Sequence, residues 1–215
     1  MNVVPGRFLT IEGIEGVGKS TQVTRLSTAL NERGIAHVVT REPGGTPLAE
    51  RIRAVLLDNV QGETMPPTAE LLLMFAARAV HLTNLVEPVL RAGRWVVCDR
   101  FIDATYAYQG GGRRLSTDTI RQLETLVLGT RRPDLTLLLD APVEQALGRA
   151  RQRNAGAAAD RFESERAEFF ERVRDAYRAR AAAEPDRIAV VDASQSADRV
   201  AVQILELLRA RSWIS

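Results

Sequence analysis

Gly13-Ile14-Glu15-Gly16-Val17-Gly18-Lys19-Ser20-Thr21 follows the apolar run Phe8 to Ile11 and leads into Val23, Leu26 and Leu30, which share one helical face. Strand, glycine-rich turn and helix form the context in which Gly-x-x-x-x-Gly-Lys-Ser makes a phosphate-binding loop. The glycines let successive backbone N–H groups converge on an anion that side chains would obstruct. The helix N-terminus adds the positive end of its dipole. Gly13, Ile14, Glu15, Gly16, Val17, Gly18, Lys19, Ser20 and Thr21 are therefore expected to hold ATP. In this arrangement Lys19 reaches the β- and γ-phosphates and the Ser20 hydroxyl ligates Mg²⁺.

Lys19 is the only lysine among 29 basic residues. A compact ammonium on a thin stem enters a narrow loop that a planar guanidinium does not. The remaining composition is ordinary: 215 residues, 45% hydrophobic and 26% charged, as expected of one globular α/β domain. A net charge of +2 gives no electrostatic footprint for a nucleic-acid partner. The single cysteine, Cys98, lies in an apolar run and excludes an internal disulfide, which fits a cytoplasmic location. Arg7 and Glu12 interrupt the N-terminal apolar stretch, so neither a secretory signal nor an uninterrupted membrane span is expected, and no membrane partner.

Strand-like runs recur at Phe8 to Ile11, Ala36 to Val39, Trp95 to Cys98, Leu135 to Leu139 and Ile188 to Val191, with helical spacing between them. Apolar on both faces and alternating with helices, they predict a parallel five-stranded sheet covered on both sides, with ligands beyond the strand carboxyl ends. One long helix is expected over Pro66 to Arg91, bent or ended near Pro88, and another over Glu163 to Ala183. Asn154 to Ala159 is small and weakly patterned, as suits a surface segment.

The loop leaves the acceptor open. A guanine-binding Asn-Lys-x-Asp cannot exist in a chain whose only lysine is Lys19, which weighs against a GTPase. The strand Trp95 to Cys98 ends in Asp99-Arg100, unlike the paired acids of motor ATPases. An acid beside an arginine suits a site holding Mg²⁺ and a second phosphate together. Arg41-Glu42-Pro43-Gly44-Gly45-Thr46 brings a second arginine to the same edge of the sheet, where two guanidinium groups would align an acceptor phosphate for in-line attack. Phe75 and Arg78, three residues apart, share a helical face and offer a ring to stack on a base and a donor to its carbonyl; by periodicity alone Phe75 also reads as core.

Together these residues, with Ala107-Tyr108-Gln109-Gly110-Gly111-Gly112, Asp160-Arg161 and Val191-Asp192-Ala193, resemble the bacterial type of thymidylate kinase over nearly the full length. The resemblance implies a three-layer P-loop NTPase fold in a single domain with a short lid over about 149–161, transfer of the γ-phosphoryl group of ATP to dTMP, and a homodimer. It places Arg100, Arg41 and Pro43 at the acceptor nucleotide, Phe75 on thymine, Arg78 at its O4, and Thr105 and Gln109 against the pyrimidine. Tyr108 crowds the sugar 2′ position, Glu15 meets the 3′-hydroxyl, and Asp99 supports Mg²⁺. With Glu at position 15, the catalytic arginine comes from Arg149, Arg151, Arg153 or Arg161; Arg153 is favoured, joining Lys19, Arg100 and Glu15 as catalytic residues. Arg149 and the Ala193 to Gln195 loop resemble adenine-contacting elements. Phe101 departs from the family's tyrosine or histidine, leaving that side chain a packing role. Other acceptors such as dUMP or CMP, and a nucleotide-binding regulator without kinase activity, are the competing readings.

Overall fold

A computed structural model of the chain describes residues 6–58, 60–153, 162 and 165–215, without the Arg153 side chain. Five strands, β1 (Phe8–Glu12), β2 (His37–Arg41), β3 (Trp95–Asp99), β4 (Leu135–Asp140) and β5 (Ile188–Asp192), form one sheet in the order β2-β3-β1-β4-β5. Every pairing is parallel. β1, β3 and β4 are almost entirely buried, as their largely apolar runs require, with Thr10 and Thr136 bonded to each other across β1 and β4. β2 runs two residues past the expected Val39, because pairing with β3 carries Thr40 and Arg41 along to Cys98 and Asp99.

Helices cover both faces. On one side α1 (Lys19–Glu32), α7 (Val143–Arg153), α8 (Ala167–Ala183) and α9 (Ala197–Ala210) enclose a core that includes Leu26, Val143, Phe170 and Ile204. On the other, α3 (Pro67–His81) and α6 (Thr117–Leu128) pack Leu71, Phe75 and Ile120 against Phe8, Val96 and Cys98. The result is the three-layer P-loop NTPase fold.

The long helix is continuous but changes register: α3 passes through a π turn, Leu82–Val86, into α4 (Glu87–Arg91). Pro88 would clash with the carbonyl four residues back in an unbroken α-helix, and the wider turn just before it absorbs the conflict. Pro67–Arg91, at 25 residues, contains an 18-residue window of mean hydropathy 1.3, long and apolar enough to cross a membrane. Half of that window is buried in the protein, and Glu70, Arg78 and His81 lie on the buried face. It is a core helix. α8 begins at Ala167, and α2 (Pro47–Leu57) is capped by Thr46, whose Oγ1 accepts from the Ala49 N–H.

After β3 the chain forms α5 (Ile102–Thr105), which runs into a π segment, Tyr106–Gly112. Asp103 anchors this unit: its buried carboxylate accepts from Arg187 at 2.7 and 2.9 Å and from Arg180 at 2.9 and 3.1 Å. Burial alone would raise the Asp103 pKa, but Arg187 and then Arg180 outweigh it and hold the carboxyl below its ordinary value. A lowered value means the contribution is present above the usual aspartate range and is lost as pH falls through the lowered one. Asp103→Asn, which leaves two guanidinium groups short of a counter-charge, is expected to cost about 3 kcal/mol in urea unfolding at neutral pH, less in acid. A loss below about 0.5 kcal/mol would show that the triad adds nothing net.

Candidate active site

The phosphate loop leaves β1 through Gly13, whose φ of 132° and position 2.4 Å from the Leu139 carbonyl, measured from a built Cβ, admit no side chain. Gly16 is tighter, a Cβ there falling 1.8 Å from the Ala146 carbonyl, so the loop lies against β4 and the start of α7. Gly18, left-handed at φ 95°, opens α1. Lys19 folds back over the loop and donates to the Gly13 and Ile14 carbonyls at 3.0 and 2.8 Å. Burial, and then the Arg100 charge, lower its pKa to about 8 against the opposing pull of Asp99, Glu15 and Glu12. A cavity along the loop is lined by Gly16, Val17, Gly18, Thr21, Arg149 and Gln195. Arg149 is fixed there by donating to the Ala193 and Ser194 carbonyls at 2.8 and 3.1 Å.

On the other side of the loop stands Arg100, whose backbone is left-handed at φ 68°. The turn is held by Glu12, fully buried, whose Oε1 accepts from the Phe101 N–H at 2.7 Å and whose Oε2 accepts from Tyr177 at 2.7 Å. Burial first and Asp103 second push the Glu12 pKa up to about 7. So placed, the Arg100 guanidinium donates to the Gly13 carbonyl at 2.9 Å and to Glu15 Oε1 at 2.6 Å. Tyr108 donates to the other Glu15 oxygen at 2.6 Å. Burial would raise the Glu15 pKa, but Arg100 and Lys19 together lower it, so this carboxylate is ionised.

Arg100, Tyr108 and Glu15 form one wall of a cleft of about 430 Å³, open solvent included, whose other lining includes Pro43, Arg53, Met74 and Phe162. Behind it Arg78 is buried, donating through Nε to Glu42 at 2.7 Å and through Nη2 to the Phe101 carbonyl and Thr105 Oγ1, both at 3.0 Å. His81 holds the second Glu42 oxygen at 2.9 Å. Gln109 donates through Nε2 to Glu70 at 2.7 Å. Arg78 Nη1 and Gln109 Oε1, both buried, have no hydrogen-bond partner among the described residues.

A family model described as thymidylate kinase matches residues 11–204. The chain belongs to the thymidylate kinase family. It is 56% identical to a thymidylate kinase of Chromohalobacter salexigens, over 98% of this chain and all of the relative. It is 53% identical to one of Alkalilimnicola ehrlichii, over 98% and 96%. A crystal structure of thymidylate kinase from Ehrlichia chaffeensis superposes with a TM-score of 0.77 at 33% identity, covering 95% of this chain and all of that one.

Against the thymidylate kinase pattern, Glu15, Pro43, Arg100 and Tyr108 meet at the cleft, with Arg78, Thr105 and Gln109 behind them. Phe75, like Arg78, Thr105 and Gln109, is buried and not part of the cleft's open lining. Its ring is core, packed under the Arg78 guanidinium at 5.1 Å, and its neighbour Met74 reaches the cleft. Arg41 is also elsewhere: its side chain is half exposed and pairs with Glu50 at 2.9 Å on the outer side of the turn. Arg53 takes the inner side, donating to the Pro43 carbonyl at 2.9 Å. Sequence reasoning missed Arg53 because α2 had not been recognised; the Thr46-Pro47 helix start, with Arg53 seven residues on, was the available signal. Phe101 packs edge-on against Phe8 at 4.8 Å and lies under the Arg78 guanidinium at 5.2 Å, a packing role. The lid falls mostly on residues 154–161, outside those described, as do Arg161 and the Arg153 side chain.

For a divalent cation the chain offers Asp99, whose buried Oδ1 has no partner among the described residues, and the exposed Ser20 at the start of α1. No group of three or more His, Cys, Asp or Glu gathers among the described residues. That donor set fits Mg²⁺ carried chiefly by nucleotide phosphates and poorly fits a resident metal. The lowered Lys19 value carries a test. A bound polyphosphate favours the ammonium, so ATP affinity is expected to fall as pH rises through about 8, by roughly tenfold per unit beyond it. Calorimetry in buffers of different ionisation enthalpy should register proton uptake; affinity that is flat from neutral pH upward would contradict it.

Proposed function

We propose that this chain transfers the γ-phosphoryl group of ATP to dTMP, giving ADP and dTDP. The observation that carries the reading is that, of the buried side-chain atoms without a partner among the described residues, a donor, Arg78 Nη1, and an acceptor, Gln109 Oε1, belong to side chains packed behind the cleft. Thymine presents the complement, a carbonyl at position 4 beside an N–H at position 3, whereas cytosine presents the reverse. Leaving either group unpaired beneath the wrong base costs heavily, which is how a buried polar site rejects an analogue.

The donor triphosphate lies along Gly13 to Thr21, with Arg149 and Gln195 beside the adenine and Lys19 released from its carbonyls onto the outer phosphates. Ser20, supported by Asp99, would hold a Mg²⁺ brought in with the donor phosphates, which would supply charge neutralisation there. Arg100 and Arg53 hold the acceptor phosphate in line, so its own oxygen attacks and no protein nucleophile is needed. Glu15, ionised between Arg100 and Tyr108, fixes the guanidinium and receives the sugar 3′-hydroxyl, while Tyr108 fills the space a 2′-hydroxyl would need. The protein acts as a single catalytic domain in the cytoplasm, without nucleic-acid or membrane partners. It acts as a homodimer, a reading supported by the exposed Leu48, Val55 and Leu72 on the adjoining α2 and α3.

Steady-state rates across the nucleoside monophosphates test the assignment. dTMP should exceed dCMP and AMP in kcat/KM by about 100-fold or more; a preference for CMP or AMP would overturn it. Arg100→Ala should raise the KM for dTMP at least about tenfold while moving that for ATP far less, as loss of a charged contact to one phosphate requires. Equal effects on both would remove Arg100 from the acceptor site.

A further inference from the structure

Beneath the cleft, Glu70 on α3 is fully buried. Its Oε1 accepts from Gln109 Nε2 at 2.7 Å, and Arg113 Nε stands 3.2 Å from its Oε2. Arg113 is itself held: it pairs with Glu165 and lies over the Phe169 ring at 4.9 Å. A glutamine amide is nearly symmetric in shape but opposite in hydrogen-bonding sense at its two ends. An ionised carboxylate only accepts, so it fixes which end of the amide faces it. The NH₂ must turn to Glu70, and the oxygen is left as the unpaired buried atom.

We infer that Glu70 is a specificity-determining positioning residue: by pinning the Gln109 amide it makes the base pocket an acceptor for a pyrimidine N3–H and thereby excludes cytosine. The inference rests on the dTMP reading above. Without the pin the amide is free to turn over, offering NH₂ to the unprotonated N3 of cytosine. Arg78 still opposes the cytosine amino group, so the relaxation is partial. Uracil shares thymine's edge and is indifferent to the pin.

Glu70→Gln, nearly isosteric and able to donate or accept, tests this in the full-length enzyme with ATP, comparing kcat/KM for dTMP, dCMP and dUMP. The ratio of dTMP to dCMP is expected to fall about tenfold, while that of dTMP to dUMP stays within about twofold. Glu165→Gln, which disturbs the same network but leaves the carboxylate on Gln109, should alter neither ratio. No change in the dCMP ratio, or equal changes in both ratios, would overturn the inference, since general loosening spares neither. A wild-type enzyme without preference for dTMP over dCMP would instead sink the function reading. If Glu70→Gln does not fold, hydrogen exchange at the ¹⁵N-labelled Gln109 side chain of the wild type decides. Slow exchange in the ligand-free protein supports the pin, and exchange that is fast until dTMP is added refutes it.

Discussion

The guanidinium of Arg100 joins the two halves of the site. It bonds the Gly13 carbonyl and Glu15 of the phosphate loop while its own backbone belongs to the turn beside the cleft. That turn is left-handed at a residue with a side chain, an arrangement that costs free energy wherever nothing else enforces it. Glu12 enforces it from below, taking the Phe101 N–H and Tyr177 into one buried carboxylate. The last residue of β1, the exit of β3 and the middle of α8 are thus held at one point, and both nucleotide sites inherit their spacing from it.

Burial first, and the Arg100 charge second, loosen the Lys19 proton. Phosphate groups beside it favour the ammonium form, which links proton uptake to anion binding. The backbone amides of a loop too tight for side chains act in the same direction, since their orientation is set before the ligand arrives. Catalysis by such a site consists of holding two anions in line, the task for which fixed dipoles and guanidinium groups are suited.

Much of this was legible in the sequence because its signals are local. The phosphate loop needs only its own residues and a strand and helix to flank it, and three central strands are largely apolar on both faces. What escaped was long-range. α2 has its apolar residues Leu48, Ile52, Val55 and Leu56 at helical spacing, but the place of Arg53 beneath the Pro43 carbonyl depends on how that short helix folds back, and Arg41, nearer in sequence, turns to Glu50. Phe75 and Met74 are adjacent on one helix, and only the packing of α3 against Phe101 decides which of them faces the cleft. Glu70 and Gln109 are 39 residues apart, and no periodicity links a buried acid on one helix to an amide on another.

A crystal structure with a non-hydrolysable ATP analogue and dTMP bound together measures the geometry on which all of this depends. The acceptor phosphate should lie about 3 Å from both Arg100 and Arg53, with the thymine 4-carbonyl on Arg78 and its N3–H on Gln109. A dTMP phosphate that avoids Arg100, or a base that lies outside the space between Arg78 and Gln109, would contradict it.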